Sequence, residues 1–101
     1  MLSHNVFFTL ADPTEQKRDK LIAACKEHLS GHPGTVFFAC GKLEPELARP
    51  VNDRDFHVAL HVVFTDRASH DAYQEDTRHH RFIEENKDGW ASVRVFDSIV
   101  S

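Results

Sequence analysis

A chain of 101 residues has the length of one domain, and with 41% hydrophobic and 28% charged residues its composition is globular, not disordered. The formal charge of −4, with no window that gathers Lys and Arg away from acids, argues against nucleic acid and anionic membrane as partners. Eight histidines are an unusual load, and their protonation would reverse the sign of the net charge, so stability and solubility are expected to vary between about pH 5 and 7.

The first residues, MLSHNVFFTLADPTEQ, lack a basic n-region and reach an acidic, proline-containing turn too early for a signal peptide. No apolar run approaches ~18 residues, so a soluble cytoplasmic protein is expected. HNVFFTLA at 4–11 has the β-branched and aromatic chemistry of a strand and ends at the turn signal DPT. Thr14 can then cap a helix through EQKRDKLIAACKEHL, where Leu21, Ile22, Cys25 and Leu29 recur at helical spacing and charged residues cover the other side. SGHPG, with two glycines and a proline, stops it. TVFFACGKL at 35–43 predicts a second strand, and EPELARPVNDRD a long loop. FHVALHVVF at 56–64 predicts a third strand, with Phe56, Val58, Leu60, Val62 and Phe64 on a core face and His57, Ala59, His61 and Val63 on a mixed one. Thr65 and Asp66 open a helix from about 66 to 75, a further turn near 78–87 ends at KDGW, and WASVRVFDSIV closes the chain as a fourth strand. Cys25 and Cys40 form no CxxC motif and lie in apolar surroundings, which predicts reduced, buried thiols.

The order βαββαβ is that of a ferredoxin-like α+β domain spanning residues 1–101, an antiparallel sheet with its helices on one face. The other face, carrying Ala59, Val63 and alternate residues of the two VFF runs, would leave a large apolar patch on a monomer. A homodimer stacking these open faces across a two-fold axis is therefore expected, two chains forming a dimeric α/β barrel.

Four local pieces, HNVFFTL, ALHVVF with the AYQ after it, RHHRF and VRVFD, together resemble the stress-responsive dimeric α/β-barrel (Dabb) family over nearly the whole chain. Most members of that family have no established reaction, which implies a stress-associated barrel with a small hydrophobic ligand in its cleft. Polyketide cyclases of the olivetolic acid cyclase type imply an alternative, a cofactor-free cyclase or isomerase. Their tyrosine corresponds to Tyr73, and their histidine, six residues on and three before a Phe, to His79. The histidine of their first strand corresponds to His4, and that of their third has His57 as its nearest counterpart, one residue out of phase and so on the opposite face of a strand. The chain departs from the pattern where many members carry His-Pro: here stand Asp76 and Thr77. His80 follows His79, and one helical position turns a side chain by about 100°.

A neutral imidazole can accept a proton near pH 7 and a phenol can donate to an enolate or carbonyl oxygen, so Tyr73 and His79 suit proton transfer without a cofactor. The competing use is structural, Tyr73 packing on the sheet and His79 closing a turn. No HExxH or Cys/His spacing appears, adjacent histidines diverge, and two histidines four apart on a strand stand roughly 13 Å apart, so no metal or cofactor is expected. His28 suits the negative end of the first helix, His70 is expected to face solvent, and Asp97 is expected to make a structural bond to a neighbouring strand or loop. Lys42 and Arg94 are candidates for the barrel mouth.

Overall fold

The computed structural model describes residues 1–101 and realises the βαββαβ order. β1 (Leu2–Leu10) leads into α1 (Glu15–Leu29), then β2 (Thr35–Lys42) and β3 (Val58–Phe64). The second crossover is split into α2 (Arg67–Glu75) and α3 (Thr77–Asn86), and a single 3-10 turn at Lys87–Gly89 delivers β4 (Trp90–Ile99). The sheet runs β2-β3-β1-β4 with every pairing antiparallel, the ferredoxin-like α+β arrangement.

Local chemistry starts each helix where the sequence places it. The Thr14 hydroxyl accepts from the Lys17 amide at 3.1 Å, and the Asp66 carboxylate accepts from the Ser69 amide at 2.8 Å. Asp76 serves twice: its backbone N–H caps the end of α2 on the Tyr73 carbonyl, and its carboxylate accepts from the Arg78 amide at 2.8 Å to begin α3. Asp76 and Thr77 thus make the turn between the two helices. At the start of β2, Gly34 has φ +83, and its carbonyl accepts from the Thr65 amide at 2.9 Å. A Cβ at Gly34 would collide with the Ser69 side chain, so both conformation and space there call for glycine.

Burial follows the pleat. On β1 the even positions His4, Val6, Phe8 and Leu10 point under the helices, and Val58, Leu60, Val62 and Phe64 of β3 do the same. Leu21, Cys25 and Leu29 of α1 close over them, joined by Tyr73 of α2 and Phe82 of α3. Cys25 is fully buried and Cys40 only half-buried, and both are free thiols. Phe56 departs from the sequence reading. β3 begins at Val58, and Phe56, freed from the pleat, turns to the open face and packs its ring 5.0 Å from Phe7.

The open face carries Phe7, Phe37, Phe96, Ala59, Val63 and the hydrogen-bonded pair His61 and Asn5, whose ring Nδ1 and amide Oδ1 lie 2.7 Å apart. Phe37 is 55% exposed and Phe96 54%. β4, at the sheet edge, also leaves Val95 and Val93 uncovered on the helix side. No helix is long and apolar enough to cross a membrane.

Candidate functional site

Between the helix side of the sheet and the α2–α3 corner lies a cavity of about 180 Å3. β1 supplies His4, Val6 and Phe8 to its wall, β4 supplies Trp90, Val93 and Val95, and the corner supplies Tyr73, Gln74, His79, Phe82 and Ile83. The gap lies where the topology leaves it: β4 is at the sheet edge with Val93 and Val95 uncovered on the helix side, and the crossover above breaks between α2 and α3 at Asp76.

Tyr73 and His79 meet in this gap, their rings edge-on with centroids 4.8 Å apart. They do not hydrogen-bond to each other. The Tyr73 hydroxyl and His79 Nδ1 are both buried without any partner, as is Trp90 Nε1. Orphaned buried polar atoms are uncommon, because each forfeits the water it would otherwise bind. Burial, reinforced by His4, His80, His32 and His70, holds His79 down to about 4, so its imidazole is neutral at pH 7. Burial likewise pushes the Tyr73 hydroxyl above its ordinary value and keeps it a donor. The Tyr73 ring is held from several sides, by Phe64 and His32 at 5.0 Å and by His4 at 6.0 Å. His32 is fixed in turn, its Nε2 2.8 Å from the His28 carbonyl one turn back.

The other expected residues divide. His79 is 8% exposed and faces the cavity, while His80 beside it is exposed, as the rotation between neighbouring helical positions requires. His4 lines the cavity rim, and its Nδ1 lies 2.5 Å from Asp97 of the paired strand, the structural bond expected of that carboxylate. Burial pushes His4 below the usual imidazole value against the opposing pull of Asp97. His57 does not reach the cavity. It precedes β3, and its Nδ1 accepts from the Leu10 amide at 2.9 Å, sealing the far end of β1. Arg94 is on the open face, paired with Asp53 at 2.7 Å beside Phe7, Phe56 and Phe96.

His70 corrects the expectation of a solvent-facing ring: its side chain is only 14% exposed and packs against Phe64 at 5.8 Å and His4 at 5.1 Å. Gln74 and Trp90 line the site without having been singled out from sequence. The helical spacing was a usable signal for the first of these, since Gln74 lies four positions after His70 and shares its face.

The order of strands, the helices on one face and this buried corner define the class, a ferredoxin-like α+β domain. The chain belongs to the stress responsive A/B barrel domain family, whose model matches residues 2–100. Among solved structures it is similar to a Dabb family protein with a ferredoxin-like fold from Mesorhizobium loti, at 20% identity and TM-score 0.80, covering 99% of this chain and 96% of the other. It is similar to a dimeric ferredoxin-like protein of unknown function from Thermobifida fusca, at 18% identity and TM-score 0.81, covering 98% and 90%. It is also similar to a hydroxynitrile lyase from Passiflora edulis, at 19% identity and TM-score 0.77, covering 99% and 93%. No curated protein matches at a significant level.

Proposed function

We propose that this domain binds a small ligand with an apolar body and a single oxygen function in the cavity at the α2–α3 corner. The observation that carries the reading is the pair of unpartnered polar atoms, the Tyr73 hydroxyl and His79 Nδ1, on residues of a mostly apolar wall. An apolar cavity of roughly 150 Å3 is enough for one benzene ring, so 180 Å3 suits a ring-sized molecule. A ketone or phenol oxygen on that ring would accept from Tyr73, and a phenol O–H could also donate to His79. The test is calorimetric titration with matched pairs, such as an alkylphenol and the corresponding alkylbenzene. The alkylphenol is expected to bind at least tenfold more tightly, and Tyr73→Phe to remove most of that margin; equal affinity for both members of the pair would overturn the reading.

The same two atoms favour a second reading, a cofactor-free cyclase or isomerase of the olivetolic acid cyclase kind. In it His79 takes a proton from the carbon next to a carbonyl, Tyr73 donates to the developing enolate oxygen, and His4 borders the pair. The neutral state of His79 supports a base, although a group held near 4 is a weak one. That a hydroxynitrile lyase has this fold supports the capacity of the scaffold for small-molecule chemistry. Solvent deuterium entering an aromatic ketone next to its carbonyl, and lost in His79→Gln, is the expected sign; exchange equal to buffer alone excludes it.

The apolar open face supports assembly as a homodimer, with the sheets of two copies enclosing a barrel, and the dimeric description of the Thermobifida fusca protein is consistent with it.

A further inference from the structure

At the cavity rim, His70 and Gln74, which neither reading of the cavity uses, meet His4. A ring nitrogen of His4, a ring nitrogen of His70 and a carboxylate oxygen of Asp97 all lie within 4.8 Å of one another. Each histidine turns its Nδ1 to a carboxylate, His4 to Asp97 at 2.5 Å and His70 to Asp71 at 2.9 Å. A ring nitrogen facing a carboxylate carries the hydrogen, which leaves the lone pair of a neutral ring on Nε2. Both Nε2 atoms converge on one side chain: the Gln74 amide nitrogen is 3.5 Å from that of His4 and 3.4 Å from that of His70. These are long, weak contacts, and amide nitrogen and oxygen exchange places by a simple flip of the group.

We propose that His4 Nε2, His70 Nε2 and the flipped Gln74 Oε1 form a binding site for a divalent transition-metal ion, Zn2+ above all. Two imidazoles disfavour Ca2+ and Mg2+, which take oxygen ligands, and suit Zn2+. Carboxylates behind the ligating rings are the usual outer partners of zinc-bound histidine, and Asp97 and Asp71 already occupy those places. Zinc–nitrogen bonds are about 2.0–2.1 Å, so binding draws the two rings in toward the ion. His4 belongs to β1 and His70 and Gln74 to α2, so the ion ties the first strand to the helix that carries Tyr73, across the rim of the cavity. Water fills its remaining position. Arg67, bonded to Asp71 at 2.8 Å, is the neighbouring cation it must tolerate. The site does not depend on what the cavity binds.

The test is titration of the untagged, metal-free protein with Zn2+ alone, read by calorimetry and by the ring 15N resonances of its histidines. One ion per chain is expected, shifting the Nε2 signals of two histidines, and His70→Ala is expected to weaken binding at least tenfold while the exposed His80→Ala leaves it unchanged. Gln74→Leu, which keeps both rings, should weaken it as well and serves if His70→Ala does not fold. The melting temperature should rise with Zn2+ in the wild type and not in these rim variants. No binding by the wild type, or binding equally strong in both rim variants, overturns the site.

Discussion

Tyr73 has an unusual position among the buried residues: it is 2% exposed, held by rings on several sides, and its hydroxyl bonds to nothing. Removing a buried hydroxyl that has no partner loses no hydrogen bond and relieves a desolvated group. Tyr73→Phe is therefore expected to leave the melting temperature unchanged or raise it, by the equivalent of up to about 1–2 kcal/mol, even as it weakens a ligand with an oxygen function. A drop of several degrees in a thermal melt would mean that the hydroxyl has a partner after all. His79 gives a pH dependence of definite sign. Its folded value, about 4, lies below the 6.5 of a free imidazole, so between these values the unfolded chain binds the proton more readily. Its contribution to stability is present above about pH 6.5, declines as the pH falls toward 4, and amounts to roughly 3 kcal/mol at most. Urea denaturation at pH 7 and pH 4.5 checks this, with His79→Gln expected to show a clearly smaller loss on acidification than the wild type.

At the scale of elements, the two ends of α2 control the corner. Gly34 at the head of β2 lies against Ser69 in the first turn of α2, and the Thr65 amide is bonded to its carbonyl. Gly34→Ala would demand a rare positive φ of a side-chain residue and drive its methyl into Ser69, for a loss of about 2–3 kcal/mol in urea denaturation. Adding Ser69→Gly should return the steric part and not the conformational part; full recovery would show that φ costs nothing there. The order of elements was legible because each signal is local: Thr14, Asp66 and Asp76 cap helices by contacts within their own turn. Tyr73 and His79 were placed together by family spacing, and the structure brings them into one cavity. Phe56 was misread because alternation marks a face only while the chain stays in the pleat, and the ladder starts at Val58. His4 and His70 could not be paired in advance, since their contact is made by the antiparallel register and the packing of α2, which no short window contains.

At the scale of the molecule, the exposed sheet face is the surface on which the proposed assembly can be tested. Phe7, Phe56 and Phe96 form an edge-to-face cluster, with Phe7 5.0 Å from Phe56 and 5.8 Å from Phe96, and Phe37 stands on β2 of the same face. A fully buried Phe side chain contributes about 1.5–3 kcal/mol, so leaving Phe37 and Phe96 each half exposed forgoes a gain that a second copy can supply. His61 Nδ1 and Asn5 Oδ1 are already bonded to one another, and the Asn5 amide donates to Ser3, which lowers the cost of covering that face and leaves His61 Nε2 to be met by the partner. If two copies meet there, Phe37→Glu or Phe96→Glu places a desolvated carboxylate in each half of a symmetric interface, doubling the penalty by the two-fold. The wild type is then expected to have twice the mass of the chain in light scattering, and either variant the mass of one. Val51→Glu, on a loop residue 84% exposed and outside the sheet, is expected to leave the wild-type mass. If both phenylalanine variants keep that mass, the partner, if any, sits elsewhere; if the wild type itself runs as a single chain at every concentration, the barrel does not form.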